Sequence, residues 1–239
     1  MTDAAPSPVN TTVEDGVAVV RFDDGKANVL SYAAVEALSA ALDRAESDPD
    51  VRALCLVGRE GKLSAGFDLS VMTAGPEAAR DLVAKGGDLL LRLYAHPQPV
   101  VVAVTGHALA AGALLVLACD VRIGADVPAK IGLNETAIGM PLPLFALALA
   151  EDRLNRSELT RATVGAQVYD PAGAVAAGYL DRVVPADAVA GEAIAEARRL
   201  GAYSSRAYAQ TKDLLRAATV QRVRDGGAAD LERFSVEAP

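Results

Sequence analysis

The sequence has no tryptophan and only four phenylalanines and six tyrosines among 239 residues. That leaves little material for a base-stacking platform or an aromatic carbohydrate cleft. A basic excess is also missing: 23 Lys and Arg stand against 31 Asp and Glu, a net charge of −8. Nucleic-acid binders carry the opposite balance, so no nucleic-acid partner is expected. Cysteine is limited to Cys55 and Cys119, each inside an apolar run (ALCLVG and VLACDV). They read as buried thiols in a reducing compartment. The two histidines, His96 and His107, share no ligand spacing with them, so a Cys/His metal or haem site is not expected. The opening MTDAAPSPVN lacks the basic stretch and apolar run of a signal peptide, and a cytoplasmic location is expected.

Core material is plentiful. Hydrophobic residues make up 51% of the chain and charged residues 23%, enough for one large domain, or one domain with an appendage. From Pro97 to Cys119 no residue carries a fixed charge, long enough to span a bilayer. The inner pattern argues against a span. Val100–Val104 is β-branched and strand-like, Thr105-Gly106-His107 interrupts it, and Leu109–Ala118 reads as a buried helix. No membrane partner is expected.

Elsewhere, Val9–Phe22 reads as a hairpin turning at Asp15-Gly16. Ser31 is positioned to cap a helix carrying Val35, Leu38 and Leu42 on one face, ended by Asp48-Pro49-Asp50. Val51–Val57 reads as a buried strand and Pro76–Tyr94 as a helix. Short strands are expected at Val121–Ile123, Ala129–Ile131 and Tyr179–Val184, and helices at Leu144–Leu154 and Ser157–Val164. After Pro185 the pattern holds helices and no strand. The whole implies an α/β core over residues 1–184 and a helical region over 185–239. The helical region carries Arg198, Arg199, Arg206, Lys212, Arg216, Arg222 and Arg224; these form either a solvated helix face or a site for an anionic ligand.

Two segments share a strand, a turn of small residues and a helix start: Leu56–Leu69, ending SAGFDL, and Val100–Leu115, VVVAVTGHALAAGALL. Small residues let backbone approach a ligand closely, and free N–H groups at a helix start favour negative charge. Two such turns facing each other would form an oxyanion hole, although close packing explains either turn alone. A third segment, IGLNETAIGMP, sets one acid, Glu135, among apolar neighbours. It is either a carboxylate at a helix N-terminus, with Asn134 or Thr136 as cap, or a general acid/base with a raised pKa.

Together the words KANVL (Lys26–Leu30), SAGFDL (Ser64–Leu69), GHALAAG (Gly106–Gly112), ACDVRI (Ala118–Ile123) and IGLNETAIG (Ile131–Gly139), in this order and spacing, resemble the crotonase superfamily. This is the enoyl-CoA hydratase/isomerase family. The resemblance implies a ClpP-like spiral of ββα turns, a C-terminal helical trimerisation region, a homotrimer or dimer of trimers, and an acyl-CoA substrate. It implies no metal and no separate cofactor, since coenzyme A is part of the substrate. It places the two oxyanion N–H groups on Phe67 and Ala111, where the family usually has glycine at the second position. A positive φ at Ala111 would be strained. It places Lys26 and Ala27 beside the nucleotide and pantetheine, and Ala65, Gly66, Asp68, Leu69, Gly112 and Leu114 around the rest of the ligand. The tail cations would meet the CoA phosphates. The family's hydratases use two glutamates. Here one position holds Leu114 and the other Glu135. The single glutamate within GLNET is similar to the Δ3,Δ2-enoyl-CoA isomerases, so an isomerase with Glu135 as sole general acid/base is expected. An enoyl-CoA hydratase and a non-catalytic acyl-CoA-binding homologue are the alternatives.

Overall fold

A computed structural model of the chain describes residues 7–235. The N-terminal MTDAAP and the last four residues of the tail lie outside them. In chain order the elements are β1 (Val9–Glu14), β2 (Val17–Phe22), β3 (Val29–Leu30), α1 (Tyr32–Ser47), β4 (Ala53–Gly58), β5 (Gly61–Ser64), β6 (Gly66–Phe67), α2 (Leu69–Met72), α3 (Pro76–Ala95), β7 (Val100–Val104), β8 (Gly106–Leu109), α4 (Ala111–Ala118), β9 (Val121–Ala125), β10 (Ile131–Gly132), α5 (Leu144–Arg153), α6 (Leu159–Ala162), α7 (Pro171–Ala177), β11 (Arg182–Val184), α8 (Val189–Gly201) and α9 (Ser205–Glu232).

The main sheet runs β1-β2-β4-β7-β9-β11. Its first pair is an antiparallel hairpin and every later pair is parallel. Asp15 and Gly16 both take positive φ at the hairpin turn, as a tight turn of this kind requires. Alternate residues along these strands divide the core in two. Ala18, Val20, Leu54, Leu56, Val100 and Val102 face α1, α3 and α4. Val17, Val19, Cys55, Val57, Val101 and Ala103 face α8, which contributes Ala193 and Ala197. Both cysteines are buried, and burial pushes their thiols up to about 12.

Beside the main sheet lies a second one, β10-β8-β5, with all three strands parallel. Each of β4, β7 and β9 is thus followed by a short strand in this smaller sheet, which gives the repeating ββα turn. The uncharged stretch Pro97–Cys119 is divided among β7, β8 and α4, and among the described residues no helix is long and apolar enough to cross a membrane.

Local signals placed the long elements well. The Ser31 hydroxyl accepts the Ala34 N–H at the start of α1, and Pro76 opens α3. Several finer boundaries need correction. Gly106 and His107 do not interrupt a strand but begin β8, and the buried helix starts at Ala111, not Leu109. The strand expected over Val51–Val57 begins at Ala53. Only Leu159–Ala162 of the expected Ser157–Val164 helix is α-helical. The strand expected over Tyr179–Val184 starts at Arg182, because Gly178 in the left-handed region ends α7 and Tyr179 and Leu180 close that helix end through N–H bonds to the Ala174 carbonyl.

The tail cations divide: Arg198, Arg199 and Arg222 lie on a solvated face, and Lys212 and Arg216 do not. Lys212 and Arg216 are buried, both against Asp120 of the ACDVRI word. Arg198 pairs with Asp15, Arg199 with Glu196 and Arg222 with Glu151. Lys212 and Arg216 hold the helical tail to the core and are not available to a phosphate.

Candidate active site

The three strands of the small sheet leave it at the same end, and the three candidate segments follow them. Ala65–Phe67 follows β5, Ala110–Ala111 follows β8, and Asn134–Glu135 follows β10. Cross-links fix their spacing. Ile131 and Gly132 pair with Ala108 and Leu109, and the Ala110 N–H donates to the Gly132 carbonyl at 3.0 Å. A methyl group on Gly66 would lie 2.9 Å from Ala110 Cβ and 3.4 Å from Ala111 N. One on Gly112 would lie 2.3 Å from the Ser64 carbonyl oxygen. Glycine at these two positions therefore lets the SAGFDL and AAG turns touch.

The two proposed donors are free for different reasons. Asp68 N–H donates to Leu30 O, so the alternation along β6 turns the Phe67 N–H away from β3. Ala111 is the first residue of α4, whose opening N–H groups have no intrahelical partner. The positive φ falls one residue earlier than the family glycine suggested: Ala110 stands at φ +50°. An alanine is strained there, and it is held by its bond to Gly132 O and by Ala113 and Leu114 N–H on its own carbonyl.

A cavity of about 230 Å³ opens between these segments. Of the residues singled out in the sequence, Ala65, Phe67, Leu69, Leu114 and Glu135 line it. Ala111 is fully buried behind Ala110, and Gly66 and Gly112 are packing positions. Asp68 is turned to another use, capping α2 by accepting the Ser70 N–H at 2.9 Å. Lys26 and Ala27 lie outside the cavity but next to its wall, with Ala27 O accepting the N–H of the lining residue Ala65. Their loop is fixed by Asn28, whose amide donates to Phe22 O and Leu63 O, and by Asp24, which accepts N–H groups of Lys26, Asn28 and Val29. Partial burial works the other way, yet these donors hold the Asp24 carboxyl below its usual range.

Among the described residues, Glu135 is the one ionisable side chain lining the cavity. It is 8% exposed and stands at the start of a 3-10 turn (Thr136–Ile138), but its carboxylate does not cap that turn. Its Oε2 has no hydrogen-bond partner. Burial among apolar side chains pushes its pKa up to about 7. Glu135 thus stands at the N-terminus of a short turn, as one reading of the sequence has it, and also faces the cavity, as the other requires. Sequence reading missed Asn134 as a lining residue, whose Oδ1 is also buried and unpartnered, and the aromatic wall Phe234. The Gly86-Gly87 pair on α3 was the available signal for two walls: Phe67 packs on the first and Phe145 on the second.

The enoyl-CoA hydratase/isomerase family model matches residues 12–236. The chain belongs to the enoyl-CoA hydratase/isomerase family. Human mitochondrial enoyl-CoA delta isomerase 1 is 34% identical over 222 residues, 92% of this chain and 74% of that protein. An enoyl-CoA hydratase/isomerase family protein from Pseudomonas syringae has a solved structure 40% identical, with a TM-score of 0.92 over 95% of this chain and 98% of that one. A solved enoyl-CoA hydratase from Mycobacterium marinum is 36% identical, TM-score 0.90, over 95% of this chain and 100% of that one. The fold is the crotonase fold expected from the sequence, and the chain is an enzyme of the hydratase/isomerase family. Names of both activities occur among its relatives, so the choice between them rests on the site.

Proposed function

We propose that this family member moves a double bond from position 3 to position 2 of an enoyl-CoA. The observation that carries the reading is the single carboxyl, Glu135, in a cavity also lined by Leu114, on which the family resemblance puts the hydratases' second glutamate. The human relative named as an isomerase supports it. The thioester oxygen accepts hydrogen bonds from the N–H groups of Phe67 and Ala111. Negative charge builds on that oxygen as the C2 proton leaves, and one such donor is worth about 10²–10³ in rate. Glu135 takes the proton from C2, the electron pair delocalises into a dienolate, and the same carboxyl returns the proton at C4. The product is the conjugated 2-enoyl-CoA. A carboxyl with a pKa about 7 is suited to both halves, since it takes and returns a proton near neutral pH.

The phosphates of CoA fall to Lys26, Arg59 and Lys62, which gather where Arg59 Nη1 and Lys62 Nζ both donate to Lys26 O. A trimeric assembly is supported by Leu214 and Leu215 on α9, which are 81% and 72% exposed. Hydration is the second reading. It is favoured by one observation: Asn134 Oδ1 and Glu135 Oε2 are both buried without a donor, and a water would supply one.

Ultraviolet absorbance separates the readings. Isomerisation predicts growth of the conjugated-enoyl band from a 3-enoyl-CoA and no loss of that band from a 2-enoyl-CoA. Loss of the band from the 2-enoyl ester would assign hydration instead. No change with either, while esters still bind, would assign a carrier.

A further inference from the structure

We infer that Phe234, just beyond the last helix, is the specificity-determining wall that sets the length of acyl chain this site accepts. The inference rests on the acyl-CoA reading above. Phe234 is 5% exposed and lines the same cavity as Glu135. Its position is built, not incidental. The Asp230 carboxylate accepts the Leu144 N–H at the first residue of α5 at 2.7 Å. Arg80 Nε, on α3, donates to Phe234 O at 3.0 Å. A methyl group on Gly226 would come within 2.7 Å of Leu144 Cδ2, so α9 lies close on α5 there. The segment from Asp230 to Phe234 is thus pinned to the two helices that supply Val83 and Phe145 to the cavity.

The other aromatic walls cannot be altered as freely. A methyl group on Gly86 would meet Phe67 Cε1 at 2.2 Å, and one on Gly87 would meet Phe145 Cδ1 at 2.8 Å. Both rings sit in slots cut by glycine. Phe67 also carries the proposed oxyanion N–H. Phe234 follows the last helix and is held through its own carbonyl, and no glycine slot among the described residues is cut for its ring. The cavity of about 230 Å³ is small beside the roughly 300–1,000 Å³ usual for small-molecule sites. That fits an acyl tail of short to medium length. A longer tail meets the Phe234 ring.

The test measures binding of saturated acyl-CoAs, from butanoyl to hexadecanoyl, by calorimetry to the full chain, Phe234→Ala and Phe234→Trp. For the native chain, Kd falls about fourfold per added methylene until the tail reaches the wall, then stops falling. Phe234→Ala moves that break to longer chains by roughly three or four carbons, because a phenyl removed from an apolar wall leaves dry space that apolar groups fill. Phe234→Trp moves it to shorter chains, and this variant keeps the test valid if the alanine variant fails to fold. A break that stays in place in both variants, or equal weakening at every length, would overturn the proposal. Saturated esters need no turnover. A break that moves without any isomerisation therefore indicts the proposed reaction and leaves the wall standing, while failure of every ester to bind overturns both.

Discussion

Glu135→Gln is expected to lower isomerisation of a 3-enoyl-CoA by about 10²–10⁴, the usual contribution of a positioned general base. Affinity for a saturated acyl-CoA is expected to survive, because the thioester donors are backbone N–H groups and the acyl walls are untouched. The same substitution should make the protein more stable. The folded-state pKa of Glu135 is raised to about 7 from its ordinary 4.5 by burial. Between those values the folded chain holds a proton that the unfolded chain has released, so stability falls as pH rises through the window. Above pH 7 the full cost is present, up to about 3 kcal/mol at 1.36 kcal/mol per pKa unit. Glutamine has the shape without the charge. Thermal unfolding should therefore show the variant gaining on the native chain as pH rises from about 4.5 to 7, with no further gain above. Higher stability together with lost turnover marks a group kept for chemistry. A variant that is equally stable across the range, or still fully active, would contradict this placement of Glu135.

The second large effect concerns stability alone. Asp120→Ala is expected to cost about 3–5 kcal/mol, as for a buried pair that loses one partner. Asp120 Oδ2 accepts the Val100 N–H, the Tyr208 hydroxyl and Lys212 Nζ at 2.9, 2.9 and 2.8 Å. Its Oδ1 lies 2.8 Å from Arg216 Nη1, an ion pair without good hydrogen-bond alignment. The three side chains are 8%, 7% and 5% exposed. Burial holds Lys212 down to about 8 even with Asp120 opposing that shift, so without the carboxylate Lys212 must either stay charged beside Arg216 or give up its proton, and either costs stability. The melting temperature should fall by roughly 10 °C for a chain of this size. A loss under about 1 kcal/mol in denaturant unfolding, the size of a surface pair, would show that the cluster does not hold the tail to the core.

The sequence made the long elements legible because their signals are local. The Asp15-Gly16 turn, the Ser31 cap, Pro76 at a helix start and the β-branched run Val100–Val104 each act within a few residues. The small sheet was barely legible: one strand was expected at Ala129–Ile131, beside β10, but β10 has only two residues and β5 and β8 four each. Strands that short carry no period. They are set by pairing with neighbours, as when Gly106 approaches so close to Gly61 that a methyl would lie 2.0 Å from its carbonyl oxygen. Glu135 stood out as one acid among apolar neighbours, but whether it capped a turn or faced a cavity depended on β10 lying beside β8. Lys212 and Arg216 looked like part of a solvated face because charge is visible in a sequence and its buried partner, Asp120, is far away along the chain. Phe234 escaped notice for the same reason: its neighbours Arg80 and Val83 belong to α3.

Transfer of a label within the substrate tests the one-carboxyl mechanism most directly. A 3-enoyl-CoA carrying two deuterium atoms at C2 is turned over in ordinary water, and the product is read by nuclear magnetic resonance and mass spectrometry. A single buried carboxyl that takes the C2 deuteron and returns it predicts 2-enoyl-CoA with one deuterium at C2 and one at C4. A 3-hydroxyacyl product would contradict the account, and so would a C4 hydrogen drawn from solvent in every turnover, which would mean that the group taking the C2 proton exchanges with water or is not the group that protonates C4.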